Sequence, residues 1–148
     1  MCQYGESVTG LAAESLARSG RLRLRATGAS MLPALRPGDE LEFVSASSAV
    51  AAGDIVLWDR EGRLVVHRVL ARDGDSILTQ GDALRSPDAP LSMAQVLGKL
   101  ESCRRNGRDR DAGRIGAVDR TWSWLLRRSD IATRIFLRWH RFTQRVSA

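Results

Sequence analysis

Hydrophobic and polar positions change period several times along the chain, and each change marks an element. Over residues 6–19 the apolar Val8, Leu11, Ala12 and Leu16 fall near helical spacing, and Gly20 is placed to end the helix. RLRLRAT at 21–27 then alternates Arg and Leu, the pattern of a strand with one apolar face. Residues 28–39, GASMLPALRPGD, carry two prolines and two glycines and exclude a regular helix. Short apolar runs come next at LEFV (41–44), IVLW (55–58), LVVHRVLA (64–71) and SILTQ (76–80), and again near Val96–Leu100. Turn-forming residues separate them. Strands recurring at this spacing predict a mainly β core.

Past that core the pattern changes. Residues 104–117 are rich in Arg, Asp and Gly without a periodic apolar set, and read as a linker. From 118 to 146 a helical stripe returns, through Val118, Trp122, Leu125, Ala132, Phe136, Trp139 and Val146. Ile135 and Phe142 widen it, while Arg120, Arg127, Arg134 and Arg141 recur away from it. Ser129-Asp130 could cap a second helix within this segment. The expected organisation is a core over 1–103, a linker over 104–117 and a basic amphipathic helical tail over 118–148.

Charge sharpens that division. The chain of 148 residues has a formal net charge of +6. Residues 1–100 hold eleven cations and twelve anions, whereas residues 101–148 hold twelve and five. A near-neutral core with a cationic appendage is not the uniformly basic surface of a compact nucleic-acid module, and no nucleic-acid reading motif is present. The tail suits an anionic membrane surface or a partner protein, with Trp and Phe on one face and Arg on the other. A helix packed on the core with its arginines solvated is the alternative.

Cys2 and Cys103 make no disulfide framework, and with His67 and His140 they offer no zinc-ligand spacing. No apolar run reaches the roughly 18–20 residues that span a bilayer. Glu6 and Glu14 interrupt any signal-peptide pattern. The reading expects a chain acting in the cytoplasm, peripheral to the membrane at most, with no metal or organic cofactor.

Four segments carry chemistry: 28–39, Gly53-Asp54-Ile55-Val56, Val66-His67-Arg68-Val69, and Gly81-Asp82 with Asp88 six residues on. Ser30 lies just past a strand, in a turn where Gly28 can take positive φ and where Pro33 and Pro37 stiffen the chain after the serine. Such a turn exposes a hydroxyl in a fixed direction and leaves backbone N–H groups for an oxyanion. A serine needs an adjacent base. His67, the core's sole histidine, stands among β-branched residues and suits that role. Asp82 and Asp88 are the candidates to orient it. Asp39 and Asp54 each come after a glycine and read as turn residues. Lys99, the chain's sole lysine, lies too far past the expected base strand for a Ser–Lys pair.

Over about residues 24–100 these segments resemble the catalytic domain of type I signal peptidases and the self-cleaving SOS-repressor peptidases. Ser30-Met31-Leu32-Pro33 with Gly38-Asp39 is similar to that superfamily's nucleophile box. Where bacterial members carry a lysine base, this chain has His67, as in the archaeal and endoplasmic-reticulum branch, which the Gly81-Asp82…Asp88 spacing also resembles. The resemblance implies a coiled β-sheet catalytic core, with Ser30 as nucleophile, His67 as base and Asp82 or Asp88 orienting it. It also implies an extended peptide bound along a strand edge, for which residues 22–27 are the candidate.

Compared with that superfamily, the 29 residues before Ser30 are expected to hold neither a hydrophobic anchor nor a DNA-binding domain. The function expected is therefore a serine endopeptidase that cleaves a peptide or protein precursor, such as the leader of a small peptide. Signal-peptide processing with a separate anchoring partner is one alternative. A catalytically inactive peptide-binding module of the same fold is another.

Overall fold

A computed structural model describes residues 8–46 and 50–111. The expected tail over 118–148 lies outside the described residues. Helix α1 (Val8–Ser19) is followed by strands β1 (Arg21–Arg25), β2 (Glu40–Ser45), β3 (Ile55–Arg60), β4 (Arg63–Asp73), β5 (Ser76–Gln80) and β6 (Leu91–Ser92). A 3-10 turn at Met93–Gln95 leads into β7 (Val96–Arg105), and β8 (Arg108–Arg110) closes the described chain. The protein is mainly β, as the strand spacing predicts.

Among the described residues the strands form one antiparallel sheet in the order β1-β2-β7-β3-β4-β5-β6, with β8 added to β7. Strand β7 is long enough to serve two neighbours on one edge. Its first half pairs with β3 through Val96–Lys99, and its end pairs with β8 through Cys103–Arg105. Register shifts at Glu42/Phe43, Leu57/Trp58 and Val69/Ala71 break the ladders. An extra residue at such points bends a strand and increases its twist.

The sheet is buried on both faces around β3. Ile55 and Leu57 join Leu16, Met31, Leu35, Leu41, Phe43 and Cys103 in one core. Val56 and Trp58 face the other way, into a second core with Val50, Val69, Ile77, Leu91 and Val96. This is why IVLW is an unbroken apolar run and not an alternating one.

Three details differ from the sequence reading. In α1 the packed face is Thr9, Ala12 and Leu16, whereas Val8 and Leu11 are 65% and 49% exposed. The helix is rotated so that Leu16, with the small Thr9 and Ala12, meets the strands, while Val8 and Leu11 face outward. The expected linker begins as sheet, since residues 104–110 are the end of β7 and strand β8. Asn106 (φ 51°) and Gly107 (φ 73°) make the tight turn between them. Two successive positive φ values match a type I′ hairpin, which an Asn-Gly pair favours. Gly28 is not among the glycines of positive φ, and in the 28–39 turn that conformation belongs to Gly38 at 95°.

The turn carrying the proposed nucleophile is pinned at its far end. Asp39 is buried and accepts hydrogen bonds from Arg105 Nε and Nη2, at 2.8 and 2.7 Å, and from the Arg36 N–H at 2.8 Å. The Asp39 carbonyl accepts the Ala26 N–H, and the Ala26 carbonyl accepts the Gly38 N–H. The end of β7 thus clamps the loop that leaves β1. Among the described residues no helix is long and apolar enough to cross a membrane.

Candidate active site

Ser30 lies five residues past the end of β1. Its neighbours Met31, Leu32 and Leu35 are buried, which anchors the turn on its apolar side. The Leu32 N–H donates to the Ala29 carbonyl at 3.2 Å, the Leu35 N–H donates to Met31, and the Leu32–Pro33 peptide is cis. On the other side the Ser30 carbonyl accepts the Ala83 N–H at 2.9 Å. Gly81 makes that contact feasible, because a Cβ there would stand 2.6 Å from the Ser30 carbonyl oxygen. The Gly-Asp turn after β5 and the serine turn after β1 therefore hold each other in place.

His67 lies on β4, paired across the ladder with Val56. Only 4% of it is exposed. Its Nε2 is 3.1 Å from Ser30 Oγ, and its Nδ1 is 2.6 Å from Asp88 Oδ2. With Asp88 as a carboxylate, Nδ1 carries the proton and Nε2 is left bare to accept one. That tautomer is the one a general base beside a serine needs.

Asp88 is held in turn by Thr79 on β5. The Thr79 hydroxyl donates to Asp88 Oδ2 at 2.8 Å, and the Asp88 N–H donates to the Thr79 carbonyl at 2.8 Å. Thr79 is fully buried, so its hydroxyl depends on this carboxylate for a partner. Sequence reasoning did not single out Thr79. Its signal was a polar residue pointing inward at alternate spacing in SILTQ.

Of the two candidate aspartates, the structure brings Asp88 to His67. Asp82 instead receives Arg68 Nε on one oxygen and Nη2 on the other, both at 2.9 Å. Arg68 Nη1 donates onward to the Gly53 carbonyl. Asp82 is thus a correction to the expected catalytic set. Adjacent strand residues point to opposite faces, so Arg68 draws Asp82 away from the face that His67 uses. A carboxylate 1% exposed requires a charged partner, and the two-pronged guanidinium supplies it. Lys99 pairs with Asp54 at 2.9 Å, and Asp54 also accepts the Ala51 N–H, which closes its own turn.

Ser30 and His67 line a cleft of about 480 Å³. Leu24, Ala26, Met31, Leu64, Val66 and Leu84 give it apolar walls. Two sheet edges meet there. β1 pairs with β2 alone, and β5 reaches β4 only from Arg68 onward, which leaves the edge of 63–67 uncovered by β5. Four antiparallel steps separate β1 from β4 in the sheet, so the two run in the same direction. One leads toward Ser30, and the open stretch of the other ends at His67. Among the described residues, no carbonyl accepts the N–H of Ser30 or Met31.

Among the described residues no three His, Cys, Asp or Glu side chains converge as metal ligands. No family model matches the chain, and no curated protein matches its sequence.

Proposed function

We propose that this protein is a serine endopeptidase working through Ser30, His67 and Asp88, of the signal-peptidase-like type that the sequence resembles. The observation that carries the reading is the unbroken line Asp88–His67–Ser30, at 2.6 and 3.1 Å, opening into a cleft between two strand edges.

That line sets the chemistry. Ser30 Oγ attacks the scissile carbonyl carbon while His67 Nε2 takes the hydroxyl proton. Asp88 remains a carboxylate and stabilises the imidazolium. The oxyanion is met by backbone N–H groups of the Ser30 turn. When the C–N bond breaks, His67 passes its proton to the leaving amine, and the acyl group stays on Ser30. Water then gives a proton to His67 and attacks the ester, which releases the acid and restores the serine. An extended peptide satisfies its main chain by adding to the open edges at 24–27 and 63–67.

The test compares the wild type with Ser30→Ala. A fluorophosphonate probe should label Ser30 in the wild type alone, and an extended-peptide library should be cut by the wild type alone. Peptide binding without labelling or cleavage would instead indicate the inactive binding module. Cleavage restricted to leader peptides or to signal peptides would assign the precursor class.

A further inference from the structure

The cleft wall contains two charged side chains, Arg25 and Arg60, and among the described residues no carboxylate lines it. Asp88 is close by, but its side chain is 6% exposed and one of its oxygens is engaged by His67 and Thr79. A peptide entering the cleft therefore meets two guanidinium groups whose carboxylate neighbours, Glu40 and Asp88, stand 3.5 and 3.9 Å away and outside the cleft lining.

Arg60, the last residue of β3, is the better placed of the two. Its guanidinium carbon sits 5.9 Å from the centroid of the Trp58 ring. Trp58 is itself buried in the second core, so the ring is a fixed platform. Stacking of this kind restrains a guanidinium without neutralising it. The nearest carboxylate oxygen, Asp88 Oδ1, is 3.9 Å away, beyond hydrogen-bonding distance. Asp59, one residue before, spends its Oδ1 on the Gly62 N–H. The Arg60 side chain remains 58% exposed. Arg25, on β1, meets Glu40 at 3.5 Å with both side chains largely exposed, a pairing that a bound anion can displace at little cost.

We infer that the site selects peptides bearing an Asp or Glu side chain close to the bond that is cut, with Arg60 as the principal determinant and Arg25 reinforcing it. The inference rests on the peptidase reading of the same cleft and names the class of its substrate. An apolar cleft accepts the neighbouring side chains by size alone. The acidic residue adds a directional contact, and charge complementarity of this kind contributes specificity and encounter rate more than raw affinity.

The experiment uses alanine-based decapeptides in which one Asp, Asn or Lys is moved along the sequence. Cleavage is measured by mass spectrometry with wild-type, Arg60→Gln and Arg60→Glu protein. Binding is measured by fluorescence anisotropy with Ser30→Ala protein, with and without the Arg60 changes. We expect Asp to be preferred over Asn by about tenfold at one register, mainly through KM, and less so at high salt. Arg60→Gln should remove the preference, and Arg60→Glu should turn it toward Lys. Equal handling of Asp and Asn by the wild type, or a preference untouched by Arg60→Gln, overturns the inference. Fluorophosphonate labelling of Ser30 separates the two ideas. Labelling without charge preference overturns the inference and leaves the peptidase reading standing. Charge-selective binding without labelling or cleavage does the reverse. Absence of both binding and cleavage overturns both.

Discussion

Arg68 grips Asp82 through both carboxylate oxygens at 2.9 Å, immediately beside the residue whose ring is held by Asp88. One loop, 81–88, thus supplies two acids to two neighbouring residues of β4, on opposite faces of the strand. The first fastens the loop and the second orients the His67 ring.

The two acids should therefore fail differently. Asp88→Asn is expected to lower kcat by about 10³- to 10⁴-fold, since an amide no longer fixes the imidazole tautomer. Its melting temperature should change little by comparison. Asp82→Asn leaves Arg68 buried without its counter-charge and should cost about 3 kcal/mol of stability in urea unfolding. The double change Arg68→Met with Asp82→Leu should recover much of that loss, since both charges go together. A kcat loss for Asp82→Asn as large as that of Asp88→Asn, in protein that is still folded, would contradict this division.

Gly81 is expected to position the nucleophile. In Gly81→Ala the new methyl meets the Ser30 carbonyl oxygen at 2.6 Å and the Leu84 side chain at 2.9 Å, so Ser30 must shift. A displacement of about 1 Å can cost about 10²-fold in kcat. Gly28→Ala is the comparison, because a Cβ there meets nothing within 4 Å and φ is not positive. Fluorophosphonate labelling rates and melting curves on the two variants check the contrast.

Asp39 predicts acid sensitivity. Burial by itself would raise its carboxyl, but the Arg105 hydrogen bonds, the Arg36 N–H and the Arg105 charge outweigh it and hold the group below its ordinary 3.8. A carboxyl depressed on folding adds stability above its unfolded value and loses it as pH falls through the folded one. Unfolding free energy should accordingly drop on acidification below about pH 4. In Asp39→Asn that dependence should flatten, on a lower overall stability, as measured by urea melts from pH 6 to pH 2.

Cys103 predicts the opposite edge of the pH range. Burial, and then the adjacent Asp39, push its thiol from 9.0 up to about 11. An acid raised on folding contributes stability below its unfolded value and loses it as pH climbs toward the folded one. Stability should decline between pH 9 and 11, and Cys103→Ala should lessen that decline. At pH 8 the native thiol should react with an aromatic disulfide far more slowly than in urea.

Local pattern was enough for most elements and for singling out Ser30 and His67, which the structure brings to 3.1 Å. The strand runs, the helix stop at Gly20 and the rigid serine turn all rest on short-range rules of periodicity and turn chemistry. His67 stood out as the core's sole histidine, and the Ser30 turn as the one place that presents a hydroxyl rigidly. The hairpin at Asn106-Gly107 was also legible in principle, but the surrounding Arg and Asp residues masked the strands beside it. The orientation of α1 was not legible. Val8 and Leu11 are as apolar as Leu16, and only the strands it packs on select the Thr9-Ala12-Leu16 face.

The amino-acid sequence by itself determined a mainly β chain, and it singled out a rigid turn carrying Ser30, one core histidine and two aspartates as candidates. The tertiary structure decided which aspartate meets His67. That choice depends on β4 presenting His67 and Arg68 to opposite faces, and on the 81–88 loop folding back across β5 to meet both. It also decided that Thr79 supports Asp88, that Gly81 backs Ser30, and that the cleft walls bring Arg25 and Arg60 to the same opening. These are relations between residues distant in sequence. Periodicity and spacing report which way a side chain faces on its own element, and they are silent on what another element brings opposite it.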